Sequence, residues 1–266
     1  MPAESNRKLS QIGAQRGIKT IMKNKVYLLP GTMCNQRLWH KLFTCAKADF
    51  ASKHSSEEQA QLEFVHIPIP ANKNFEQLAS WLNEYFQEDK VYLLGFSLGG
   101  YLASYFAVNY PNRVKGLFIV GNSPCTLTPQ EMSQRQELLN FITANKYKGV
   151  SHKRALQLLD SSNEDQEDVK TIKKMDSELG VDELISQMTF TTERDDLLQA
   201  MSLLNIPMTF YYSEDDPLVN VPWLLELKSN NPNCHLVTTN GNGHMLPLEK
   251  PEELQLLLKK TLCHIT

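Results

Sequence analysis

Apolar residues along this chain follow two alternating rhythms. Short runs rich in β-branched and aromatic residues occur at 25–30, 62–69, 91–96, 114–120, 208–212 and 234–239, each bounded by turn residues. Such brief, nearly continuous apolar runs suit strands covered on both faces of a parallel sheet. Between them apolar positions recur at helical spacing, as in 75–86, where Leu78, Leu82 and Phe86 step by four. Similar patterns occupy 99–109, 223–229 and 251–262. Strand alternating with helix predicts right-handed crossovers. The expected fold class is therefore α/β: a mostly parallel sheet of about six strands with helices on both faces. Its ligand site should lie at the carboxyl ends of the strands.

The rhythm breaks between residues 124 and 206, where no strand pattern occurs and amphipathic stretches at 129–147, 153–159 and 167–179 follow one another. This segment reads as a helical cap insertion. The expected organisation is a polar amino-terminal extension at 1–24, a core formed by 25–123 and 207–266, and the insertion at 124–206. Within the insertion, the polar run Asp160-Ser161-Ser162-Asn163-Glu164-Asp165 reads as a solvated turn between helices. There is no internal repeat or low-complexity tract.

Composition narrows the function classes. A length of 266 residues fits one α/β domain with a modest insertion, and 41% hydrophobic with 21% charged residues is ordinary for a globular chain. A net charge of -3 leaves no basic excess for a phosphate backbone, so nucleic acid is not an expected partner. Cys34, Cys45, Cys125, Cys234 and Cys263 are scattered and form no CxxC pair, which implies neither a disulfide framework nor a zinc site. No metal or organic cofactor is expected. Residues 1 to 20 carry no apolar run of the secretory type, so no export is expected and the location expected is cytoplasmic. The apolar stretch 91–108 is interrupted by Gly95, Ser97, Gly99 and Gly100, and reads as strand, turn and buried helix rather than a membrane span. Nothing in the sequence specifies an oligomer.

The strongest chemical signal is Gly95-Phe96-Ser97-Leu98-Gly99-Gly100, placed between a buried strand and an apolar helix. A nucleophile on so sharp a turn needs small residues two before and two after it, and Gly95 and Gly99 meet that need. A serine hydroxyl also needs a base. His244, in Asn240-Gly241-Asn242-Gly243-His244-Met245 directly after the last strand, is placed to reach the top of the sheet. His40, His54, His66, His152, His235 and His264 lie instead in helix, polar loop, strand, insertion or tail. The base needs a carboxylate to fix its tautomer. Glu214, Asp215 and Asp216, after the penultimate strand, offer three. Acyl transfer further needs two backbone N–H donors for the oxyanion, and the residue after the nucleophile, Leu98, supplies one.

These residues resemble the α/β-hydrolase superfamily, and within it small carboxylesterases related to pimeloyl-carrier-protein methyl ester esterase, enol-lactonases and meta-cleavage hydrolases. The resemblance runs from about Lys25 to Leu262. It is carried by Leu-Pro-Gly-Thr at 29–32, Gly-Phe-Ser-Leu-Gly-Gly at 95–100, Asp216, Gly-His-Met at 243–245 with Pro251 following, and the end of the helical cap at 192–207. It implies a triad of Ser97, Asp216 and His244. Asp216 is favoured over Asp215 because Leu218-Val219 matches an Asp-x-Leu-Val ending. Position matching adds the amide of Thr32 to that of Leu98 in the oxyanion hole. The implied activity is hydrolysis of an ester or thioester, of a small-molecule or acyl-carrier-borne substrate, through an acyl-serine. The same triad also serves lyases and carbon–carbon bond hydrolases of this fold, and a binding module on a hydrolase scaffold is the non-enzymatic alternative. Two departures stand out. Pro30 occupies a position where many relatives have His, and no strand pair is evident in residues 1–24, so a sheet trimmed at that edge is expected.

Overall fold

Six strands form where the apolar runs predict them: β1 (Lys23–Leu29), β2 (Gln61–His66), β3 (Val91–Phe96), β4 (Val114–Val120), β5 (Met208–Ser213) and β6 (Cys234–Thr239). The computed structural model describes residues 23–52, 61–163 and 165–262. All five strand pairings are parallel, in the order β2-β1-β3-β4-β5-β6. The chain winds outward from β1 to β2, then crosses to β3 on the other side and proceeds to β6. The switch point therefore lies between β1 and β3, whose carboxyl ends are in register, Leu29 opposite Gly95. That is where an open parallel sheet presents a ligand crevice.

The helices are α1 (His40–Ser52), α2 (Phe75–Tyr85), α3 (Leu98–Asn109), α4 (Pro129–Ala144), α5 (His152–Leu156), α6 (Gln166–Phe190), α7 (Leu198–Ser202), α8 (Val221–Asn230), α9 (Leu246–Glu249) and α10 (Pro251–Leu262). Two cores result, one on each face of the sheet. Tyr27 and Leu29 of β1 face the core built with α2, α3 and α8. Val26 and Leu28 face the other, built with α1, α9 and α10. The period-two alternation is thus apolar on both sides, as a doubly covered strand requires.

Some boundaries differ from expectation. After β1 a short 3-10 turn at Gln36–Trp39, capped by Asn35, leads into α1, whose start at His40 agrees with the helical reading of that residue and whose length the apolar pattern did not mark; Leu38, Trp39 and Leu42 are wholly buried. β2 ends at His66, three residues before the expected 69, because Pro68 and Pro70 have no N–H for a ladder. Lys23 and Asn24, assigned to the extension, belong to β1. Residues 124–206 carry α4 to α7, and α6 continues past 179 to Phe190 through a break at Gly180 with φ 79°. Expectations that fall on residues 1–22, and on His54, Cys263 and His264, lie outside the described residues. No described helix is long and apolar enough to cross a membrane.

His66 closes β2 with Nδ1 buried and without a hydrogen-bond partner among the described residues. Burial lowers its pKa from 6.5 to about 4, so the unfolded chain takes up a proton that the folded chain refuses. Stability is then lost as pH falls from about 6.5 towards 4, by on the order of 1 kcal/mol once the solvent screening of a part-exposed ring is allowed for. His66→Leu should flatten this part of the profile, read as urea midpoints at pH 7 and pH 4.5.

Candidate active site

Ser97 sits on the turn from β3 into α3 with φ 49° and ψ -116°, a backbone conformation that costs a non-glycine residue about 1–3 kcal/mol. Its surroundings impose it. A Cβ on Gly95 would lie 2.2 Å from the Gly99 carbonyl oxygen, and one on Gly99 would lie 2.1 Å from that of Leu29. Helix and strand therefore meet backbone to backbone, and the residue between them is pushed out of the turn. The Ser97 N–H donates to the Val120 carbonyl at 2.9 Å, and its own carbonyl accepts from Gly100 and Tyr101 at 2.8 and 3.1 Å. The first N–H groups of α3, those of Leu98 and Gly99, donate to no described residue.

The loop after β6 delivers His244. Its backbone is held from three directions: Ser213 Oγ donates to the Gly243 carbonyl, Asp215 N–H donates to the Gly241 carbonyl, and the N–H groups of His244 and Met245 both donate to the carbonyl of Leu158. His244 Nδ1 lies 2.7 Å from Asp216 Oδ2, with both side chains buried. An ionised carboxylate can only accept, which assigns the proton to Nδ1 and leaves Nε2 as the free lone pair. Asp216 Oδ1 accepts the Leu218 N–H at 2.9 Å, fixing the carboxylate. Asp215 is exposed and its side chain takes no part. Of the two aspartates, the structure sets Asp216 against His244.

The ring of His244 packs on Phe96, which precedes Ser97, and lies beside Gly121, which follows the Val120 whose carbonyl accepts the Ser97 N–H. Its centroid is 5.0 Å from that of Phe96, and a Cβ built on Gly121, next to Val120, would be 3.2 Å from Nδ1 and Cε1. The Ser97 hydroxyl and Nε2 form no hydrogen bond with a described residue. Nucleophile-to-base hydrogen bonds are often loose without substrate and tighten in the complex.

The loop leaving β1 lies against the same point, since a Cβ on Gly31 would be 3.2 Å from Ser97 Cβ. Two of its N–H groups are committed. Cys34 donates to the Gly31 carbonyl at 3.1 Å, and Met33, at φ 53°, donates to Gln187 Oε1 of α6 at 2.9 Å. The Thr32 N–H has no described acceptor, so the two amides expected at the oxyanion, Thr32 and Leu98, are both unengaged. Gln187 was not foreseen: a glutamine in an amphipathic helix reads as solvated, and no local pattern points to a partner so distant. Cys34, the nearby thiol, is no competing nucleophile, because burial pushes its pKa up to about 12. Among the described residues, no group of three or more His, Cys, Asp or Glu is placed to hold a metal ion.

A strained serine at a strand-to-helix turn, with a buried His–Asp pair packed on the preceding Phe96 on a parallel sheet, coincides with a match of residues 52–251 to the model of the alpha/beta hydrolase fold. The chain belongs to this family. The pimeloyl-[acyl-carrier protein] methyl ester esterase of Proteus mirabilis is 25% identical over 90% of this chain and 92% of its own length. Chloroplastic pheophytinase of Arabidopsis thaliana is 24% identical over 68% of this chain, a match spanning only 44% of that protein. Among solved structures of this fold, a carboxylesterase study of Nitrososphaera gargenis provides a chain with TM-score 0.72 and 15% identity, covering 90% of this chain and 89% of that one. A thermophilic esterase from Thermogutta terrifontis superposes with TM-score 0.71 and 18% identity, covering 91% and 90%.

Gly99→Ala should cost more than about 3 kcal/mol or prevent soluble expression, because the clashing atom is backbone and cannot rotate away. Urea unfolding at pH 7 measures it; a loss under 1 kcal/mol would contradict the backbone contact.

Proposed function

We propose that this alpha/beta hydrolase cleaves a carboxylic ester or thioester through an acyl-serine intermediate, with Ser97 as nucleophile, His244 as general base and Asp216 as the group that orients it. The observation that carries this reading is the buried 2.7 Å pairing of Asp216 with His244 Nδ1, with the imidazole packed on Phe96 directly before a strained serine. With Nδ1–H tied to a carboxylate, Nε2 is the nitrogen free to take the Ser97 proton as Oγ attacks the carbonyl carbon. Negative charge then develops on the carbonyl oxygen. The unengaged amides of Thr32 and Leu98, with the amino end of α3 behind the latter, are the donors assigned to it. Collapse of the tetrahedral species returns the proton through His244 to the leaving alcohol or thiol. In the second half, His244 activates water against the acyl-serine and the acid is released.

The substrate class assigned is an acyl ester, small or borne on an acyl carrier. Its support is the Proteus mirabilis esterase, matched over nearly the full length of both chains. The helical insertion forms the wall of the acyl pocket, a placement supported by Gln187 of α6 bonding to the loop that leaves β1. A cytoplasmic location is retained on the scattered cysteines, of which Cys34, Cys45, Cys125 and Cys234 are free thiols.

A fluorophosphonate probe should label the wild type and leave Ser97→Ala unlabelled. Asp216→Asn should lower kcat on short p-nitrophenyl esters by about 10⁴-fold while Asp215→Asn stays within about threefold. Equal labelling of Ser97→Ala would remove the nucleophile assignment. Intact labelling with negligible ester turnover would replace ester hydrolysis by lyase or carbon–carbon bond chemistry at the same triad.

A further inference from the structure

The turn at 160–163, expected to be merely solvated, is bonded into the histidine loop. Asp160 Oδ2 accepts the Asn242 N–H at 2.8 Å, and Asn242 Oδ1 accepts the Ser161 N–H at 2.8 Å. Asp160 Oδ1 is used by its own turn, accepting from the Ser162 N–H at 2.9 Å and from the Ser162 hydroxyl. Behind it, Glu249 Oε1 accepts from the Asp160 N–H at 2.7 Å and from Asn163 Nδ2 at 2.8 Å. Leu158, two residues earlier, supplies the carbonyl on which the His244 N–H rests at 2.9 Å.

The glycines of the loop record the same clamp. A Cβ on Gly241, at φ 104°, would be 2.0 Å from Asp160 Oδ2, and one on Gly243 would be 2.4 Å from Glu249 Oε2 and 2.8 Å from the Asp160 nitrogen. Two carboxyl groups thus press on Gly-Asn-Gly at either end. The loop amides facing Asp160 form a concavity of the kind that binds anions, here filled by a side chain of the protein itself. Contacts from Ser162 and from the Asn242 and Gly243 amides hold the Asp160 carboxyl below the usual carboxylate range, so the anion is present at neutral pH.

We propose that Asp160 is a positioning residue for His244, locking the 241–244 loop so that the imidazole stays against Asp216 on the side of Ser97. The proposal rests on the triad reading above. It means that the catalytic histidine is placed by the insertion as well as by β6, and that residues 158–163 move with the core rather than with the rest of the insertion.

The test uses two variants of the full chain. Asp160→Ala removes both acceptor oxygens. Asp160→Asn keeps the volume but must turn an NH₂ towards either the Ser162 or the Asn242 N–H, and it carries the test should the alanine variant fail to fold. Each should lower kcat on p-nitrophenyl esters by about 10- to 100-fold with KM within about threefold, the signature of a misplaced base rather than lost binding. The low-field proton resonance of His244 Nδ1–H, sharp in the wild type, should broaden in both. Variants with kcat within twofold of wild type and an unbroadened proton would overturn the proposal. The resonance is read without turnover, so it judges the clamp even where labelling of Ser97→Ala has removed the triad reading.

Discussion

The arrangement at the site depends on how closely two backbones meet where α3 begins. With no side chain at 95 or 99, the first turn of the helix settles onto the carboxyl end of β1, and an added methyl at 99 would come within 2.1 Å of the Leu29 carbonyl oxygen. That contact fixes the direction of α3, holds Ser97 at a positive φ and brings the loop leaving β1 beside the serine. A single packing constraint thereby sets Ser97 and the neighbouring amides together. The surrounding sheet keeps a strained conformation that an isolated turn would relax.

Much of the fold was legible because its central strands β1, β3, β4 and β5 are buried on both faces, so apolar runs mark them without regard to alternation. The serine was legible for a related reason: the glycines that permit the contact are themselves the motif. His244 could be found from its place after the last strand. The choice between Asp215 and Asp216 could not be made from local pattern, since adjacent carboxylates in one turn differ only in direction; the family resemblance favoured 216, and the structure turns 215 outward. The extent of helix α1 could not be read beyond His40, because Lys41, Thr44 and Lys47 dilute its apolar face and the wholly buried residues nearby, Leu38, Trp39 and Leu42, cluster at and before its first turn.

What sequence could not disclose are contacts between distant segments. Met33 and Gln187 are 154 residues apart, and Asp160 and Asn242 are 82 apart. Their side chains are of types that ordinarily face water, so composition and periodicity gave the wrong prior for Asp160 and none for Gln187. In each case the partner is a backbone N–H in a loop whose conformation is itself set by the fold.

The hydrogen bond from Met33 to Gln187 gives the insertion a second foothold, on the loop beside the serine. An insertion of this kind is not an interchangeable lid. Grafting it onto another member of the family would leave Gln187 without its amide unless the recipient's first loop adopted the same positive-φ turn. Exchange of specificity between such enzymes would therefore have to transfer loop and insertion as a matched pair.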